Sequence, residues 1–207
     1  HGGAVRLDVN CVSEVIYCDF IDNNSGGEGG GIACDTGNSI AIADSNFVNN
    51  NSNFGGALFC DPNCAGWVSG SLFVQNDANE EGGAIHFTDA NSFAIADCNL
   101  SFNTAIRGGA LHCVDSPKAT ISDSIIKYNQ AGGTSVFGGG FAGSHGGGIY
   151  CFAGLASITN CEITDNSADS SGGGVYLAGD FEPLVKNCLV TNNAARRDGG
   201  GISVNWQ

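Results

Sequence analysis

Basic charge is scarce in this chain and methionine is absent: 7 Lys and Arg stand against 21 Asp and Glu, with only 3 prolines and 2 tryptophans in 207 residues. The shortage of Lys and Arg excludes a nucleic-acid binder, which needs cations to displace the counterions condensed on phosphate. A formal net charge of −14 also sets the chain against anionic membranes and anionic polysaccharides unless a cation bridges them. No apolar run approaches the ~18 residues of a membrane-spanning helix, so no membrane insertion is expected. There is no C-x-x-C pair of the kind that holds structural zinc, no nucleophile elbow and no phosphate loop. With no Met, few Lys and Arg, and 33 glycines scattered throughout, a helical protein is excluded as well. Charged residues are only 14% of the chain, yet 42% is hydrophobic, too much for disorder. Neither a signal peptide nor an initiator Met is present, so the chain reads as a processed product or a piece of something longer.

What is present is repetition. A G-G-A/G-V/I/L motif recurs with its aliphatic residue at Val5, Ile32, Leu58, Ile85, Leu111, Ile149, Val175 and Ile202, in steps of 27, 26, 27, 26, 38, 26 and 27 residues. A second motif places an apolar residue three before an Asn: Phe20/Asn23, Phe47/Asn50, Phe73/Asn76, Leu100/Asn103, Ile126/Asn129, Ile163/Asn166 and Val190/Asn193. Helical repeats are ruled out because Gly-Gly interrupts every period, and leucine-rich repeats because Leu-x-x-Leu-x-Leu is missing. Within each repeat the pattern alternates with period 2, as in Ile121-Ser122-Asp123. The spacing predicts an all-β, right-handed parallel β-helix over residues 1–207. It would have about seven coils of 26–27 residues with three short strands per coil, stacked ~4.8 Å apart. The Asn column is expected to form an amide ladder along the stack. The one long step marks an inserted Gly-rich loop, 131–145, that reads AGGTSVFGGGFAGSH; it is expected to project and to offer Phe137 and Phe141 as contacts.

Gly55-Gly56-Ala57-Leu58, Gly82-Gly83-Ala84-Ile85, Phe20-Ile21-Asp22-Asn23 and Phe47-Val48-Asn49-Asn50 are GGAI and F-x-x-N copies. In these the chain resembles the repeats of chlamydial polymorphic outer-membrane proteins. The resemblance spans the whole chain and implies a passenger-type β-helix used in adhesion on a cell surface. The repeats are also similar to those of large secreted β-helix proteins of eukaryotic microbes. Ten cysteines, an even number, and N-x-S/T sequons at Asn23, Asn50 and Asn99 lean toward the extracellular, oxidising setting.

Stacking turns the sequence into columns. One inward column holds Leu7, Cys34, Cys60, Phe87, Cys113, Cys151, Leu177 and Val204; another holds Cys18, Ser45, Ser71, Cys98, Ser124, Cys161 and Cys188. Cys11 and Cys64 share a third. Vertical disulfides Cys113/Cys151 and Cys161/Cys188 are expected, with Cys34/Cys60 in competition with Cys60/Cys64. The alternative is a stack of free thiols packed as small hydrophobes. An outward column carries Phe59, His86, His112, Tyr150 and Tyr176, either a surface for glycans or proteins or a self-stacking ladder. His86 and His112 could share a metal, but the sequence shows no third ligand beside them, and no cofactor is expected. A further outward column, Asp44, Asp97, Asp123, Asn160 and Asn187, is either a solvated turn ladder or, at Asp97 and Asp123, a pair for Ca²⁺ or glycosidase chemistry.

Gly143-Ser144-His145-Gly146 is similar to the Ser/Gly-His-Gly motif of polygalacturonases, but that family's N-T-D, D-D and R-I-K elements are missing. No catalytic residue is therefore assigned. The expectation is a non-catalytic, secreted structural or adhesive β-helix that stacks end to end or contacts other surface proteins, with Trp206 at the junction and glycans as further candidate partners. The alternative is a polysaccharide-active or glycan-binding β-helix of the pectate lyase or polygalacturonase type.

Overall fold

The structure, a computed structural model, describes residues 2–90, 92–116, 118–133, 143–155 and 157–206. Every strand pairs in parallel with its equivalent in the next coil, which builds four continuous sheets along one axis. The first sheet has eight strands, from Val5–Leu7 to Ile202–Asn205; the second has seven, from Val12–Ile16 to Leu184–Lys186. The third runs from Asp19–Ile21 to Leu189–Thr191, and the fourth has six short strands from Asn51–Phe54 to Ala194–Ala195. A coil therefore carries four strands rather than three. The fourth is as short as two residues, for example Thr104–Ala105, too short to show alternation in sequence. At ~4.8 Å per coil, seven coils make a rod ~35 Å long. Among the described residues no helix is long and apolar enough to cross a membrane.

Register follows the sequence columns. Ile32, Leu58, Ile85, Leu111, Ile149 and Val175 lie in line and are buried. Across the core lie Phe20, Phe47 and Phe73, whose rings stack at 4.8 and 4.7 Å, followed by Leu100, Ile126 and Ile163. Two glycines per coil turn the chain from the fourth sheet into the first. Gly55 sits at φ +61, and a Cβ on Gly56 would lie 2.1 Å from the Gly83 carbonyl of the next coil.

The Asn column forms the expected ladder. From Asn23 to Asn193, each Nδ2 donates to Oδ1 of the next Asn at 2.9–3.0 Å. From Asn50 onward the second amide hydrogen goes to the backbone carbonyl of the preceding coil's apolar partner, as Asn76 Nδ2 does to Phe47 O at 3.0 Å. Asn50, Asn76, Asn103, Asn129 and Asn166 are buried, and the ladder satisfies them.

The inserted segment is tied into the coil at both ends. Ala131 pairs with Ala168 in the fourth sheet, and the Ser144 and His145 carbonyls accept from Ser170 and Gly108 N–H at 3.0 Å. The extra residues thus lie inside 132–143, a narrower span than 131–145. Phe137 and Phe141 lie outside the described residues.

Candidate functional site

The outward ring column of the first sheet is stacked in register, with centroids 5.1 Å apart for Phe59–His86, 4.9 Å for His86–His112, 4.7 Å for His112–Tyr150 and 5.4 Å for Tyr150–Tyr176. Ring planes deviate by 14° at most. The ring faces are therefore spent on each other, so the column does not offer them for stacking on a sugar. Nor is it open: Phe59, His86, His112 and Tyr176 are only 8, 5, 2 and 7% exposed. The self-stacking ladder is what the structure forms.

A second column covers it. The residue preceding each Gly pair, namely Phe54, Glu81, Arg107 and His145, comes from the corner between the fourth and first sheets and lies alongside the rings. Phe54 meets His86 edge-on at 5.9 Å, and His145 stacks on Tyr176 at 4.2 Å. Glu81 and Arg107 are bridged in parallel on adjacent coils. Arg107 Nη2 lies 3.0 Å from Glu81 Oε1, which leaves Oε2 directed at the imidazoles, 3.7 Å from both His86 Nδ1 and His112 Nδ1. Sequence columns singled out His86 and His112 but missed Glu81. Its signal was available, since every Gly pair has a preceding residue and those residues form their own column.

Burial sets the protonation of this cluster. It pushes the His86 pKa down to about 3 and that of His112 well below its ordinary value, with the nearby Arg107 charge adding to both. Both imidazoles are neutral, so their approach to Glu81 is no ion pair, and 3.7 Å is too long for a hydrogen bond. His86 Nδ1 and both His112 nitrogens are buried with no hydrogen-bond partner. Unpaired buried polar atoms cost about 1–3 kcal/mol each. Burial raises Glu81, opposed by Arg107, and raises Tyr150, which is also hydrogen-bonded by Arg107. A cavity of about 320 Å³, lined by Glu28, Phe54, Phe59, Glu81, His86 and Thr88, adjoins the cluster. Glu81, His86 and His112 each offer one donor atom, all within 4.8 Å of one another.

The remaining expected sites are structural. All ten cysteines are free thiols, which corrects the disulfide expectation. Cys161 and Cys188 donate to Thr159 O and Lys186 O, not to each other. Cys113 and Cys151 are in register, but both thiols point to the Gly154 carbonyl. Cys34 and Cys60 are also in register and hydrogen-bonded, while Cys64 donates to Asp35 O at 3.2 Å, away from Cys60. Asp44, Asp97, Asp123, Asn160 and Asn187 all have φ between +46 and +55, the left-handed turn conformation that Asp and Asn tolerate best. Asn160 donates to Asp123 and Asn187 to Asn160, so from Asp123 onward this column forms a turn ladder.

Two sequons fall on the buried Asn ladder. Asn50 is 0% exposed with both amide hydrogens bonded, which corrects its reading as a glycosylation site; Asn23 is half-buried and bonded to Asn50. Asn99 is half-buried at a strand start. Trp206 is 60% exposed.

No curated protein and no solved structure matches the chain. The right-handed β-helix region family matches residues 79–207, well over half of the sequence. The match falls on coils whose strands, Asn ladder and glycine turns are the same as those of residues 2–78, so the chain belongs to the right-handed β-helix family.

Proposed function

We propose that the protein is a non-catalytic extracellular β-helix with a structural or adhesive role, a unit of a surface filament or appendage that associates end to end or docks on other surface proteins. The observation that carries this reading is that each repeated polar column is used to join coil to coil. The asparagines pair along the axis, the rings stack on each other and the Asp/Asn column makes turns. A further coil, from another copy or another protein, can dock through the same contacts. The GGAI and F-x-x-N repeats resemble those of polymorphic outer-membrane proteins, which supports a surface setting, and a net charge of −14 supports solubility as a rod.

One observation favours a second reading, a glycan-binding or polysaccharide-active β-helix. Glu81, Arg107 and two imidazoles converge beside a cavity. The two separate in one experiment. The purified chain is incubated with polygalacturonate, alginate and neutral glycans, with and without Ca²⁺, while its mass distribution is followed by sedimentation. Concentration-dependent association without release of reducing ends or unsaturated uronides is expected. Release of such products that is lost in Arg107→Gln would overturn the structural reading.

A further inference from the structure

Glu81, His86 and His112 form a group that the stacking role does not explain. The ring column needs only flat apolar rings, and Phe59, Tyr150 and Tyr176 supply them elsewhere in it. Two imidazoles on adjacent coils instead bring nitrogens to a place where no protein group pairs with them. Both Nδ1 atoms stand 3.7 Å from the same oxygen, Glu81 Oε2, and Arg107 holds the other oxygen of that carboxylate. A carboxylate fixed on one side by a guanidinium and aimed on the other at two neutral imidazoles is an oriented donor set.

We propose that Glu81 Oε2, His86 Nδ1 and His112 Nδ1 bind one divalent cation of the zinc class. Two imidazole nitrogens and one carboxylate oxygen suit Zn²⁺ or Co²⁺ better than Ca²⁺ or Mg²⁺, which prefer all-oxygen sites. With bonds of ~2.0–2.1 Å, the ligand atoms of a tetrahedral zinc ion lie about 3.3–3.4 Å apart. The observed 3.7 Å to the carboxylate is a few tenths longer, and the three donor atoms spread to 4.8 Å, so the site closes by over 1 Å on binding. The two rings stack 10° from parallel, so each must turn toward Glu81 on binding to bring both lone pairs onto one ion. A cation at Nδ1 also takes up one of the two unpaired positions on His112. The cavity bounded by Phe54, Phe59 and Thr88 leaves room for water in the fourth position. This site lies beyond the structural role and stands or falls separately from it.

Ten free thiols are the competing ligands, so the test must identify the donor atoms as well as count ions. The full chain, stripped of metal and kept in a non-thiol reductant, is titrated with Zn²⁺ and with Co²⁺. One ion per chain is expected, with a Co²⁺ spectrum of d–d bands and no thiolate charge-transfer band. Glu81→Gln and His112→Phe, the latter keeping a ring in the column, are expected to weaken binding at least ~10-fold. Nitrogen-15 NMR of the wild-type histidines adds a readout independent of the folding of either variant: two Nδ1 resonances move on adding Zn²⁺. A thiolate band at the first equivalent, unchanged uptake in His112→Phe, or unmoved Nδ1 resonances would overturn the site.

Discussion

Cys98 donates its thiol to the Ala96 carbonyl two residues earlier at 3.1 Å, as Ser71 and Ser124 donate their hydroxyls to Ser69 and Ser122 at 2.9 and 2.7 Å. Cys18, Cys161 and Cys188 repeat the same bond. Cysteine and serine thus exchange in this column because both fit one small polar pocket, which is why alignment of cysteines there does not produce a disulfide. Burial pushes the Cys98 and Cys161 thiols up to about 11. A raised folded-state pKa stabilises the fold below the unfolded value and loses that contribution as pH rises through the folded one. The window therefore runs from about 8.5 in the unfolded chain to about 11 in the folded protein. Cys98→Ser is expected to leave neutral-pH stability within about 1 kcal/mol and to flatten the alkaline loss. Urea midpoints taken below and inside that window measure both.

At the scale of a coil, the glycine pair decides whether neighbours can close on each other. A Cβ on Gly83 would stand 2.1 Å from the Gly109 carbonyl, whereas one on Gly26 meets nothing within 4 Å. Gly83→Ala is expected to cost more than about 3 kcal/mol, as backbone must part from backbone, and Gly26→Ala less than about 1 kcal/mol. Denaturation of the two single variants tests the contrast. The sheets and ladders were legible because a fixed period places equivalent residues one above another. Apolar columns such as Phe47–Phe73 and the Asn ladder follow from spacing alone. The fourth strand was not legible, because four of its six copies have only two residues, which carry no alternation. The cover over the ring column was missed for a different reason. Whether an outward residue meets water depends on how the corner bearing Glu81, Arg107 and His145 folds over it, and that angle is not a property of the period. Two of the three members of the candidate cluster, His86 and His112, could thus be read from the sequence. Its acidic member lies in a column the period also shows, but that this column leans over the rings is set by the corner and not by spacing.

For the molecule as a whole, stability is a sum over coils and the contacts between neighbours, so an added segment between coils is tolerated when its ends stay in register. Ala131 and His145 hold those ends. Removing residues 132–142 restores a 27-residue step between Leu111 and Ile149. It is expected to leave one cooperative unfolding transition with Tm changed by at most about 4 °C, which scanning calorimetry would measure. A broken or split transition would mean that the segment completes the core.

The asparagine ladder has a direction. From Asn23 to Asn166 each amide donates one hydrogen to the Oδ1 of the higher-numbered coil's Asn, and from Asn50 to Asn193 each Oδ1 receives from the lower-numbered one, so the amide-to-amide bonds all run one way along the axis. The rod is in this sense an arrow, since the Oδ1 acceptors of the ladder all face the lower-numbered coil and the amide-to-amide donors the higher-numbered one. Two arrows meeting tip to tip would set donor against donor, while tip to tail continues the chain of amides unbroken. In the end-to-end assembly proposed above, axial contact is vectorial: it favours growth in one sense without closing on itself, and it disfavours the two-fold dimer that a rod with identical ends would form.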